Sequence, residues 1–437
     1  MEGWSKKRLV EITEKIGSGA TPRGGNDAYK ESGISLFRSL NIHDGFFKEK
    51  NLAFIDEDQA NKLSNVQVKE GDVLLNITGA SIARCCIAPS ELLPARVNQH
   101  VAIIRPKLNY IDTNFLAYLF ISKEYKNALL NTGEKAGATR QALTKTQLQE
   151  FEINIPPLSE QKRIVSIVDE AFEAIDTAID NTKQNLTNAR ELSDSYLNDI
   201  FTQKGEGWVD KQLGDVCDFL NGFAFKSDDA VNDSDVQLIR MGNLYKNILD
   251  LERKPAFYPN EFRDIYTKYI LLEGDLVMSL TGTVDKFDYG YTVEIPKNEK
   301  TLLLNQRIVK FININGNYIN KRFFLYLLRS KLFMNALYGS SRGVRQANLS
   351  SLSMKAIWIN LPPVALQKSL VSEFRTLEFE TQRLEAIYRK KLTALNELKQ
   401  SILHKAFTGE LTADQAKLWS LSEAEVKTNI KQEAIAV

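Results

Sequence analysis

Residues 156–204 read PPLSEQKRIVSIVDEAFEAIDTAIDNTKQNLTNARELSDSYLNDIFTQK, and residues 362–409 read PPVALQKSLVSEFRTLEFETQRLEAIYRKKLTALNELKQSILHKAFTG. Each stretch is a Pro-Pro stop followed by roughly forty residues of helical pattern. In the first, apolar or small residues fall at Ile164, Val168, Ala171, Ile175, Ala178, Leu186, Ala189, Leu192, Tyr196 and Ile200. In the second they fall at Phe374, Leu377, Leu384, Tyr388, Leu395, Leu398 and Ile402. The spacing is mostly three or four, which keeps one apolar strip on a helix. Neither run is broken by Gly or Pro, and both exceed an ordinary globular helix, which points to coiled-coil pairing. At 1.5 Å per residue each helix spans roughly 60 Å. Gln161 and Gln367 each stand four residues after the second proline, so the two stretches are read as copies rather than as unrelated surface helices.

Working outward, the copies extend over nearly the whole chain. Trp4, Leu9 and Ile12 match Trp208, Leu213 and Val216. Leu36–Asn41 matches Leu238–Asn243, and Glu70-Gly71-Asp72 matches Glu273-Gly274-Asp275. Thr78-Gly79 matches Thr281-Gly282, Asn98-Gln99 matches Asn305-Gln306, and Arg140-Gln141 matches Arg345-Gln346. Phe201-Thr202 matches Phe407-Thr408, and all these offsets lie between 202 and 207 residues. So constant a spacing marks an internal duplication. Between the anchors the halves differ freely, as in 42–69 against 244–272: one scaffold carries two different surfaces.

The bodies read as short apolar strands, Val73–Ile77, Val101–Ile104, Leu276–Leu280 and Ile308–Ile312, with Glu-Gly-Asp as a turn signal before two of them. Residues 113–130 and 319–338 read as helices, each followed by a Gly-bearing basic loop. The expected fold class is α/β. Two α/β bodies, 1–155 and 208–361, alternate with long helices at 156–207 and 362–409, and 410–437 is a tail given no function.

The chain has 437 residues, 56 Lys+Arg against 55 Asp+Glu, and 43% hydrophobic residues, a multi-domain globular balance. No apolar run is long enough for a membrane span, and the charged N-terminus lacks a secretory core. Cys85, Cys86 and Cys217 form neither a disulfide framework nor a zinc spacing, so a reducing cytosol is expected. His43, His100 and His404 lie far apart and read as structural or surface residues. No acidic residue falls between Glu299 and Glu373, an interval holding Arg307, Lys310, Lys321, Arg322, Arg329, Lys331, Arg342, Arg345, Lys355 and Lys368. Phosphate binding is the usual use of such a stretch; a solvated or partner-facing surface is the competing reading.

Of the catalytic fingerprints, GxGxxG, GxxxxGK[ST] and HExxH are missing. Asn76-Ile77-Thr78-Gly79 has the outline of an adenine-methyltransferase tetrad, but lacks its Pro-Pro-aromatic part and a glycine-rich cofactor loop. It and Ser279–Gly282 are read as turns that require Gly. No catalytic, cofactor-binding or metal-binding residue is assigned.

The order of these motifs, twice over, resembles the specificity subunit of type I restriction-modification systems, the HsdS family. The carrying residues are Val68–Gly79 and Leu271–Gly282, Asn98-Gln99 and Asn305-Gln306, Leu143–Leu148, Ile155–Gln161 and Leu361–Gln367, and Phe201-Thr202 and Phe407–Leu411. The second junction lacks the Glu before its Gln, and Ala80-Ser81 replaces a second Gly after the first Thr-Gly. The resemblance implies a non-catalytic subunit in which each body is a target-recognition domain for one half of a bipartite, asymmetric double-stranded DNA sequence. The long helices would pack antiparallel as a ruler, with pseudo-twofold symmetry. Two modification subunits would dock on them, and motor-nuclease restriction subunits would complete the enzyme. S-adenosylmethionine, ATP and magnesium would belong to those partners, and none to this chain.

Within each body, reading requires Arg, Lys, Asn or Gln against base edges, over a larger set of phosphate contacts. The candidates for DNA contact are Arg38, Lys48, Arg84, Arg96 and Arg140 in the first body, and Arg240, Lys246, Lys286, Arg342 and Arg345 in the second. Arg140 and Arg345 lead, because each lies in the Gly-bearing loop at the same place in its repeat. Asn98-Gln99 and Asn305-Gln306 could read adenine, but a pair shared by both halves cannot explain different specificities, so a structural role is favoured. Two other classes compete: an assembly scaffold that pairs protein subunits without touching DNA, and a nucleic-acid enzyme with a diverged site.

Overall fold

The computed structural model describes residues 3–22, 25–134, 142–203, 205–283, 286–340 and 346–412. It divides into two compact units, Met1–Lys183 with Lys390–Val437, and Gln184–Arg389.

In the first unit, Ser5–Arg8 pairs antiparallel with Glu152–Ile155 and closes the body. One four-stranded sheet runs in the order Thr13–Ser18, Val101–Pro106, Val73–Asn76, Cys85–Ile87, all antiparallel. A second runs Ala53–Ile55, Ile34–Phe37, Ala95–Val97, Gln67–Val68, with a parallel pair at its centre. The second unit repeats both. Asp218–Asn221, Ile308–Ile312, Leu276–Ser279 and Thr292–Glu294 form the antiparallel sheet. Phe257–Tyr258, Val236–Ile239, Thr301–Leu304 and Ile270–Leu271 form the other, again with a parallel central pair. Strand order and direction agree throughout, so the duplication seen in the anchors is a duplication of topology.

The anchors recur because they hold the same bonds. In each Glu-Gly-Asp turn the glycine takes a positive φ, +79° at Gly71 and +84° at Gly274, which only Gly adopts freely. The following carboxylate then reaches back to a backbone N–H, Asp72 to Lys69 and Asp275 to Leu272, both at 2.7 Å. It also pairs with a base on the adjacent strand. Asp72, fully buried, accepts two bonds from Arg105 at 2.7 and 2.8 Å, and Asp275 pairs with Lys310 at 2.5 Å.

Each stretch expected to be one helix is two. Thr113–Ile121 is followed by Lys123–Glu134, and Lys321–Arg329 by Lys331–Ser340. The break falls on a buried serine, Ser122 or Ser330, whose backbone turns extended while its hydroxyl donates to the carbonyl three residues back. Ser competes for backbone bonds in this way, and hydropathy does not register it.

The long helices are Leu158–Thr202 and Val364–Thr408. Their starts are pinned by the repeated glutamine, which is fully buried in both places. Gln161 donates to the carbonyls of Tyr110 and Pro156 and accepts from Asp112 N–H at 2.8 Å. Gln367 donates to Tyr318 and Pro362 and accepts from Asn320 N–H at 2.7 Å. In each unit the helix segments run antiparallel. In the second, Tyr196 bonds Glu373 and Arg190 bonds Glu385. In the first, Asp176 pairs with Lys399, while Ile164 and Val168 share a core with Leu403, Ala406 and Phe407. Among the described residues no helix is long and apolar enough to cross a membrane.

Candidate nucleic-acid interface

Three motifs that lie far apart in sequence come together in each body. In the first, Ile77 N–H donates to His100 O at 3.0 Å, and Ile77 O accepts from Leu143 N–H at 2.8 Å. Thr78 bridges to Ala142 beside it. In the second, Leu280 N–H donates to Arg307 O at 2.9 Å, and Leu280 O accepts from Leu349 N–H at 3.0 Å. Thr281–Thr283 pairs there with Gln346–Asn348. The Thr-Gly segment is thus the middle of a three-segment ledge. The turn after Asn-Gln lies on one side, and the returning end of the basic loop on the other.

A fourth segment joins each ledge. Gly19 N–H donates to Asn98 O at 3.1 Å, and a side chain there would collide with Val97 O. Gly222 occupies the same place, where a side chain would strike the Asn305 backbone. The chain beyond these glycines differs: Ala20-Thr21-Pro22 in one body, Phe223-Ala224-Phe225 in the other.

The asparagines of the repeated pair are structural, as their repetition suggested. Asn98 Oδ1 accepts from His100 N–H at 3.0 Å, and Asn305 Oδ1 accepts from Arg307 N–H at 3.1 Å. The glutamines are exposed. In the first body Gln99 Oε1 accepts from the Thr21 hydroxyl, and its amide nitrogen lies 3.1 Å from His100 Nε2. That amide can only donate, so Nε2 accepts, and Nδ1–H donates to Thr78 Oγ1 at 2.6 Å. Among the described residues the second ledge has no such chain. Thr281 contacts the Met241 sulfur, and Arg307 is exposed with no side-chain partner among the described residues.

The sequence candidates separate into three groups. Arg140, Arg342 and Arg345 lie outside the described residues; the flanking Ala142 and Gln346–Asn348 are the parts of their loops that meet the ledges. Lys48, Lys246 and Lys286 are exposed, and Arg84 is half-buried in the turn that follows Thr78-Gly79. The remaining three are engaged inside the protein. Arg96 is 7% exposed and donates to the carbonyls of Ala60 and Ala95, so its charge stabilises the body's own backbone. Arg38 donates to Asn51 O at 2.5 Å and lies 5.0 Å over the Tyr29 ring. Arg240 repeats the bond, to Lys254 O. A bond made identically in both halves belongs to the scaffold.

The acid-free interval is not free of acids in space. Lys310 pairs with Asp275, Arg322 with Glu294 and Lys355 with Asp218, all partners from earlier in the chain. Arg329 is half-buried, desolvation lowers its basicity, and it donates to Thr292 O and Asn247 O. Of the interval's described bases, Arg307 is the one seated on a ledge. His100, Arg307 and Phe223 sit on the ledges and are not among the sequence candidates for DNA contact. For His100 and Arg307 the sequence does carry a signal: the residue after each Asn-Gln differs between the copies.

Burial pushes the Cys86 and Cys217 thiols up to about 12. Among the described residues no group of His, Cys, Asp and Glu is placed to hold a metal ion.

Residues 1–188 and 205–394 each match the family described as "Type I restriction modification DNA specificity domain". The chain belongs to that family. Its doubled match coincides with the doubled topology, and type I specificity proteins are recognised here over nearly the full chain. The StySPI specificity subunit of Salmonella potsdam is 23% identical, over 94% of this chain and 90% of its own. The HsdS subunit of Thermoanaerobacter tengcongensis has the same fold at 17% identity, covering 94% of this chain and 98% of that one, with a TM-score of 0.54. A solved chain from work on complex assembly and conformational transition of the type I R-M system gives 0.68 at 17% identity, covering 94% of this chain and 99% of that chain. A type I specificity subunit recognises DNA and pairs with the other subunits of a type I restriction-modification complex.

Proposed function

We propose that each body of this specificity subunit reads one half of a bipartite, asymmetric duplex sequence. The long helices set the gap between the halves and carry two modification subunits, and motor-nuclease subunits complete the complex. S-adenosylmethionine then acts in the modification subunits, and ATP and magnesium act in the motor subunits, in the cytoplasm where the chromosome is. The observation that carries this reading is the pair of ledges: one backbone frame, held by the same bonds, presents Thr21, Gln99 and His100 in one body and Phe223, Gln306 and Arg307 in the other. A scaffold that only paired protein subunits would have no use for two unlike faces on identical frames. Arg140, Arg342, Arg345, Lys48, Arg84, Lys246 and Lys286 are proposed as surrounding phosphate or base contacts, since such contacts supply most of the affinity for DNA.

Methylome sequencing tests the reading. Cells expressing this chain with its modification subunit should acquire a bipartite methylated motif that cells lacking this chain do not show. An assembled complex that yields no new motif would contradict it.

A further inference from the structure

The residue after each Asn-Gln pair has its backbone fixed from both sides. Its N–H is held by the asparagine, and its carbonyl by the residue before Thr-Gly, in both bodies. Only the side chain differs, His100 in one body and Arg307 in the other. The His100 ring is committed internally, with Nδ1 on Thr78 and Nε2 on Gln99. Arg307 is exposed and unpartnered among the described residues, whereas its neighbours Lys310, Arg322 and Arg329 are bound within the body. Phe223, 36% exposed, flanks the same turn: its backbone bridges to Asn305, and its carbonyl accepts from Gln306 N–H at 2.9 Å.

We infer that Arg307 is a specificity-determining residue of the second body and reads a guanine in its half-site. The inference rests on the DNA-reading function proposed above and names the residue and base class that deliver part of it. A guanidinium offers two parallel N–H donors on a rigid fork, which match the O6 and N7 acceptors of guanine in the major groove. A lysine cannot reproduce that pair. An arginine whose backbone is locked while its side chain is free of intramolecular bonds can place the fork on a base edge. The first body has no counterpart, because His100 has no nitrogen left to offer. The guanine requirement at this position therefore belongs to the second half-site alone.

The test uses the assembled methyltransferase complex with wild-type, Arg307→Ala and Arg307→Lys subunits. It reads methylation on duplexes carrying every single substitution in each half-site. Both variants should lose discrimination at one G·C pair of the second half-site, by about ten- to a hundredfold. The first half-site should be unchanged. Unchanged discrimination in Arg307→Ala would overturn the assignment. So would uniform weakening on all sequences, random duplex included, with a shallower salt dependence, which marks a phosphate contact. A wild-type complex that shows no sequence preference would instead defeat the DNA-reading function itself, and this inference with it.

Discussion

Phe407 meets Phe115 edge-on, with ring centroids 5.3 Å apart and planes at 75°, and neither ring is more than 3% exposed. The contact seals the end of the second long helix against the first body, beside Tyr125. Phe201 closes the second body in the same way against Phe323, also at 5.3 Å. The repeated Phe-Thr at the end of each helix is thus a docking residue. Phe407→Ala should destabilise the first unit by about 3–5 kcal/mol, the usual cost of emptying a buried aromatic site. Urea denaturation of the purified chain checks this, with early unfolding of the first unit expected and the second unit little changed.

Gln161 and Gln367, themselves fully buried, each satisfy three backbone groups. Replacing Gln161 by Leu leaves Tyr110 O, Pro156 O and Asp112 N–H without their partner. Each stranded group costs roughly 1–3 kcal/mol. Amide exchange should show lost protection at the start of the first long helix in Gln161→Leu, and at the start of the second in Gln367→Leu.

Arg190 holds the Glu385 carboxyl below its usual range, chiefly by hydrogen bonding. A carboxylate with a depressed folded pKa adds stability that is present above its unfolded value and is lost as pH falls through the folded value. The helix pairing in the second unit should therefore weaken on acidification below about 4.5, the ordinary value for Glu. Glu385→Gln should flatten that part of the pH–stability profile. Because the pair is largely exposed, the difference should shrink in high salt.

The same number of residues separates Asp176 from Arg190 as separates Glu385 from Lys399, the partners in the two ion pairs. A seven-residue insertion between Asp176 and Arg190 alone breaks that match and should impair complex assembly. A second insertion between Glu385 and Lys399 should restore assembly. The gap in the methylated motif should then lengthen by about three base pairs, since seven helical residues span roughly 10 Å. An intact complex with an unchanged gap would refute the ruler.

What was legible in the sequence was whatever is written locally and twice. The Pro-Pro stops, the glutamines, the Glu-Gly-Asp turns and the apolar strips of the helices rest on backbone chemistry within a few residues, and all recur. The two-sheet body was not legible, because its centre pairs Ile34–Phe37 with Ala95–Val97, partners that no local pattern connects. Charge misled for the same reason. Arg96 reads as a surface base until Ala60 O is found beneath it, and the acid-free interval reads as a positive field until Asp275, Glu294 and Asp218 fold onto it. The ledges needed the fold: only strand pairing brings Thr78 to His100 and Ala142.

Independent reading by the two bodies is tested by exchanging residues 209–355 for the matching body of another specificity subunit and sequencing the methylome. The resulting motif should have one new half, with the other half and the gap unchanged. A change in both halves would contradict independent reading.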